Sequence, residues 1–146
     1  MTGRTITPHI VVPDAAEAAS WYGRAFGAQE LWRIPLPGGK VMTVVLTVGE
    51  SAVHVGSEFP EAGILSPLSI GDTATVLQIN TTDADALWKQ ATAAGATVHH
   101  ELADQFWGER HGQLTDPFGH RWNIAQHVRD VPAEEIAAAA ARAFAS

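Results

Sequence analysis

Two stretches of this 146-residue chain repeat one another, and an internal repeat constrains a fold more than any single motif does. Pro8-His9-Ile10-Val11-Val12-Pro13-Asp14 runs into an alanine-rich helix over 15–26 that stops at Gly27-Ala28. Leu77-Gln78-Ile79-Asn80-Thr81-Thr82-Asp83 runs into a second helix that stops at Gly95-Ala96. Asp14 and Asp83 stand at the N-cap, where a short acceptor satisfies the first free N–H groups, and Gly27 and Gly95 stand where helices end. Alternating or β-rich stretches follow each helix, at 30–34, 42–48 and 51–55 in the first half and at 97–100, 112–115 and 121–126 in the second. The order strand, helix, three strands occurs twice. It predicts a single α+β domain over 1–146, made of two tandem βαβββ modules. Module 1 covers about 5–59 and module 2 about 74–128, with a Pro-, Gly- and Ser-rich linker at about 60–73 as the hinge. A further helix at about 132–144 begins at Pro132, with Glu134 and Glu135 in its first turn.

The repeat also fixes positions. His9 and Gln78 lie 69 residues apart, as do His54 and Asn123 in the last strand of each half. Successive strand side chains point to opposite faces. Ile10, Val12, Val53 and Val55 therefore oppose His9 and His54, while Leu77, Ile79, Trp122 and Ile124 oppose Gln78 and Asn123. The bulky lists belong under the helices. The sheets can then curl so that their other faces line a shared cavity, and His9, His54, Gln78 and Asn123 converge on it.

Composition narrows the ligand and the compartment. The 9 Lys and Arg against 16 Asp and Glu give a net charge of −7, and the basic residues are scattered, which excludes a nucleic-acid backbone as partner. With no cysteine and no long apolar run, the chain reads as a cytoplasmic protein with neither signal peptide nor membrane span.

Two motifs carry a family resemblance: Ile10-Val11-Val12-Pro13-Asp14 leading to Trp21-Tyr22 and Ala25-Phe26-Gly27-Ala28, and Asp116-Pro117-Phe118-Gly119-His120-Arg121-Trp122 entering the last strand. In this order, and with the duplication, the chain resembles the vicinal-oxygen-chelate superfamily of glyoxalase I, bleomycin resistance proteins and extradiol dioxygenases. Asp104-Gln105-Phe106-Trp107-Gly108-Glu109-Arg110 is similar to a bacterial glyoxalase-like or bleomycin-resistance-like branch. In metal-using members of the family, the first and last strand of each module supply the ligands. The resemblance places these at His9, His54, Gln78 and Asn123.

The family commonly has Glu where this chain has His54 and Asn123. Two imidazoles and two amides bring no negative charge to offset a dication. The carboxylate aligned with Asn123 is the base of glyoxalase-type isomerisation, and an amide cannot take that proton near neutral pH. The resemblance therefore implies a small-molecule binding protein of the bleomycin-resistance type, a homodimer around an aromatic or antibiotic-like ligand, with no certain cofactor. The rival it leaves open is a divalent-metal lyase or isomerase holding Zn, Ni, Mn or Fe through His9, His54 and Gln78.

Three further residues join the candidate pocket. Trp107 and Arg110 fall in what reads as a long connection between strands, either as a stacking and anion-binding pair or as a plug with Phe106. Trp32 lies on the strand after the first helix and can turn its ring into the cavity. Trp21, Tyr22 and Phe26 read as core, and His99, His100, His111, His120 and His127 as surface residues.

Overall fold

The computed structural model describes residues 5–145, so positions 1–4 and 146 of the domain lie outside the described residues. Helix α1 (Ala15–Phe26) starts where its N-cap predicts: Asp14 Oδ1 accepts from the N–H of Ala16 at 3.0 Å and of Glu17 at 3.1 Å. Asp83 does the same for α3 (Ala84–Ala93) through the Ala86 N–H at 3.1 Å. Each such cap stabilises its helix by about 1 kcal/mol. Between the modules, Pro60–Ala62 forms a 3-10 turn and Pro67–Ile70 the one-turn helix α2. Glu58 Oε1 holds α2 by accepting from the Ser66 N–H and the Ser69 hydroxyl, both at 2.6 Å. The last helix, α4, is Ala133–Ala143, and none of its residues is buried.

Each module folds into one four-stranded sheet. The first runs β1 (His9–Val12), β4 (Ser51–Ser57), β3 (Val41–Val48), β2 (Gln29–Pro35) across its width. The second runs β5 (Val76–Asn80), β8 (Arg121–His127), β7 (Glu109–Thr115), β6 (Thr97–Asp104). The outermost pair in each, β1 with β4 and β5 with β8, is parallel, and the rest are antiparallel. A parallel pair needs a long crossover, which the intervening helix and strands provide. Among the described residues no helix is long and apolar enough to cross a membrane.

Both helix-bearing faces turn toward one core. Ile10, Val12, Val53 and Val55 come from the first sheet and Leu114, Trp122 and Ile124 from the second, with Trp21, Tyr22 and Phe26 of α1 among them. Removing a side chain of this size from water is worth roughly 1.5–3 kcal/mol. The core reading of the three α1 aromatics therefore holds. Helices α1 and α3 pack together: Trp21 Nε1 donates to the Ala94 carbonyl at 2.7 Å and Gln90 Nε2 to the Arg24 carbonyl at 2.9 Å. Gly112 of β7 makes room for α3, since a Cβ there would meet the Trp88 ring at 2.6 Å.

One segment differs from the sequence expectation. Strand β6 continues to Asp104 and β7 begins at Glu109, so the supposed long connection carrying Trp107 and Arg110 is a tight turn. The Gln105 N–H donates to the Glu109 carbonyl at 2.7 Å, and Gly108 takes a φ of 97°. The reason is visible in the register, which shifts between Val98 and His100 and again between His100 and Ala103. Such bulges break the period of two by which a strand is recognised.

Candidate functional site

The strand pairing carries the candidate residues into two rows. In module 1, His9 pairs with His54, His54 with Val45, and Val45 with Trp32, so these four cross the sheet side by side on the face away from the helices. The rings of His9 and His54 lie 4.2 Å apart between centroids, tilted by 31°. Trp32 meets His54 edge-on at 6.3 Å and is 49% exposed, while Val45 beneath this cluster is 3% exposed. Burial first, and the neighbouring His9 second, lower the pKa of His54 below its ordinary value. Val11, Ala52, Gly56, Thr43, Thr47 and Ile34, which share this face, carry no charge.

In module 2, Gln78 pairs with Asn123, Asn123 with Gln113, and Gln113 with His100. This row is hydrogen-bonded from end to end. His99 Nδ1 bonds to Gln113 Oε1, Gln113 Nε2 donates to Asn123 Oδ1 at 2.9 Å, Asn123 Nδ2 to Gln78 Oε1 at 3.4 Å, and Gln78 Nε2 to Asn80 Oδ1 at 3.0 Å. Gln113, His99 and Asn80 were not among the residues expected from sequence. The repeat does contain a signal for Gln113, since it sits 68 positions after Val45, the residue of module 1 that pairs with His54.

Within one chain the four central residues form two pairs rather than one pocket. The core lies between the sheets, and the His9–His54 face and the Gln78–Asn123 face look outward from it. A groove of about 620 Å³ at the seam is lined by Phe26, Val53, Leu77, Gln78, Asn80 and Trp122, among others, but not by His9, His54 or Asn123.

Arg110 and Trp107 separate. Parity along β7 puts Arg110 on the helix side with Leu114, and its guanidinium donates to Asp85 at 3.0 Å and Asp104 at 3.2 Å. The hydrogen bonds it donates to Asp85, then to Asp104, raise its pKa. Its expected place beside Trp107 in a ligand pocket is therefore corrected. Trp107 stays on the outer side, its Nε1 donating to Glu109 at 2.7 Å and its ring 5.3 Å from His111. His99 lies on the surface as expected and ends the amide row, while His120, also expected on the surface, is half-buried, its Nε2 bonding to the Val11 carbonyl at 2.7 Å and tying module 2 to β1.

One buried side chain near this seam was also overlooked. Asp116 accepts from the N–H groups of Phe118 and His120, from Trp122 Nε1 at 2.9 Å, and from the Tyr22 hydroxyl of the other module. Burial, and then Asp116, push the Tyr22 pKa well above the ordinary tyrosine range.

Two modules of this topology, with this motif entering the last strand, match a known sequence family over residues 5–124. The chain belongs to the Glyoxalase/Bleomycin resistance protein/Dioxygenase superfamily. Along 137 residues it is 42% identical to an uncharacterized protein of Mycobacterium tuberculosis, covering 92% of this chain and 81% of that one. Among solved structures it is similar to TioX from Micromonospora sp. ML1, with a TM-score of 0.68 and 25% identity, over 86% of this chain and 100% of TioX. The protein PA1353 from Pseudomonas aeruginosa shares the fold at a TM-score of 0.70 and 22% identity, over 87% and 100% of the two chains.

The superfamily includes metal-dependent members, and within one chain the candidate residues bring together only His9 and His54 as good metal donors. Among the described residues no three His, Cys, Asp or Glu side chains group to hold one. Among the described residues no carboxylate pairs with His9 or His54, and the amide of Gln78 is engaged by Asn123 and Asn80. Two imidazoles alone leave a divalent cation short of the three or four protein ligands such sites use.

Proposed function

We propose that the protein is a small-molecule binding protein of the bleomycin-resistance type, acting as a homodimer. The outer face of module 1 in one copy meets the outer face of module 2 in the other, and an organic, aromatic ligand is held between them. The observation that carries this reading is the pair of ordered rows left open to water, one of rings and one of amides. Supporting it, β2 exposes Leu31, Trp32 and Ile34 within four residues, more apolar surface than an isolated sheet edge tolerates well. Trp32 and the His9–His54 pair supply a stacking wall, and aromatic side chains make such walls at low entropic cost.

Sedimentation of the full chain with quinoline as aromatic probe tests this. The expected result is a dimer whose tryptophan fluorescence is quenched by quinoline, with Trp32→Ala weakening the probe's binding about tenfold, the loss of one stacking contact of ~1.4 kcal/mol. A monomer that binds no quinoline overturns the reading. So does stoichiometric Zn, Ni, Mn or Fe that is lost in His54→Ala, an outcome that would replace it with a divalent-metal lyase or isomerase using His9, His54 and Gln78.

A further inference from the structure

The hydrogen bonds of the module 2 row all run in one direction, and that polarity sets what the row can recognise. His99 donates from Nδ1 to Gln113, Gln113 to Asn123, Asn123 to Gln78 and Gln78 to Asn80. A primary amide has two N–H donors and two carbonyl lone pairs. Each of Gln113, Asn123 and Gln78 spends one donor and one acceptor inside the row, so each keeps one of both for a ligand. The result is a strip of alternating N–H and C=O groups across three strands, held in place before any ligand arrives.

We propose that this strip recognises the edge of a neutral planar ligand that offers an N–H donor beside a C=O acceptor, the lactam or amide edge of a heteroaromatic ring. The inference rests on the outer faces being the ligand site, as proposed above. A carboxylate or phosphate offers acceptors alone and would meet the row's carbonyl oxygens as well as its N–H groups. An ammonium or guanidinium offers donors alone and meets the opposite mismatch. Unpaired polar groups at a desolvated contact penalise both classes. Two charged side chains beside the row are already engaged, Arg121 with Asp72 at 3.1 Å and Glu109 with Trp107 at 2.7 Å. Because the amides orient one another, little side-chain freedom remains to be lost on binding.

The test is calorimetric titration of the full chain with 2-quinolinone, 2-methoxyquinoline and quinoline-2-carboxylate, which share a ring and differ at the edge. The expected result is that 2-quinolinone binds about tenfold or more tightly than either of the others. Gln113→Leu and, independently, Gln78→Met should reduce that preference to less than about threefold, since each removes the donor and the acceptor that one amide keeps for the ligand. Equal binding of 2-quinolinone and 2-methoxyquinoline, or a preference that survives both substitutions, overturns the inference. If the three bind equally and Trp32→Ala weakens them all, the proposed function stands and only the strip fails. If none binds, both fail together.

Discussion

The two outer faces are built from one repeated backbone in one register, yet they present different chemistry. Across module 1 the row reads His9, His54, Val45, Trp32, and its contacts are ring against ring. Across module 2 the matching row reads Gln78, Asn123, Gln113 and the His99–His100 bulge, and its contacts are hydrogen bonds. The backbone repeat determines which side chains share a face, while the side chains decide whether that face stacks or pairs. A pocket made from one face of each kind has a wall for a ring and a wall for its polar edge. The turns into the last strand differ as well. Module 1 passes from β3 to β4 through Gly49 and Glu50, whereas module 2 takes residues 116–120 and places Asp116 in the core.

The largest effect should come from removing that difference. Asp116 collects two backbone N–H groups, the Trp122 indole and the Tyr22 hydroxyl, so it joins the modules through a single side chain. Asp116→Ala leaves two buried side-chain donors without an acceptor, and the expected cost is about 3–5 kcal/mol in urea unfolding. A loss under about 1 kcal/mol would mean that the apolar core alone holds the modules together, and that the longer turn of module 2 adds no clamp.

A smaller effect distinguishes the faces by pH. His54 titrates and its counterpart Asn123 does not. Because burial and His9 hold the His54 pKa below its ordinary 6.5, the unfolded chain binds that proton more readily than the folded one. The stability contributed by neutral His54 is therefore present above pH 6.5 and lost as the pH falls through the folded value. Proton-detected titration of the ring should give a midpoint below 6.5, and His9→Ala should raise it by removing the second cause. A midpoint at or above 6.5 in the unsubstituted protein would show that neither burial nor His9 disfavours the charged ring on the module 1 face.

How much of this was legible in the sequence follows the strength of the periodic signal. The constant separation of 69 between His9 and Gln78, and between His54 and Asn123, appears in the structure as direct pairing of His9 with His54 and of Gln78 with Asn123. The caps at Asp14 and Asp83 are local and were equally plain. His99 escaped because β6 bulges twice beside it, and a bulge erases the alternation that assigns a face, whereas Gln113 on the regular strand β7 was within reach of the repeat. Which sheets share a core was also out of reach. Alternation divides a strand into two faces but does not say that both helix-bearing faces bury each other while the polar rows look outward.

Arg110 is the case in which face assignment decides function, and it is expected to give the smallest effect. Read as part of a loop, it is free to reach any ligand beside Trp107. Read as a residue of β7, it alternates with Gln113 and His111, and its partners Asp85 and Asp104 lie on the helix side. Arg110→Gln should therefore leave quinoline affinity within about twofold, because an exposed ion pair on the far face contributes little to a site it does not touch. Trp32→Ala, on an outer face, should cost about tenfold in the same titration. If the Arg110 substitution costs as much as the Trp32 one, the guanidinium reaches the ligand. The parity of β7, from which Gln113 takes its place in the amide row, would then be in error, and the contrast between a face of rings and a face of amides would lose its basis.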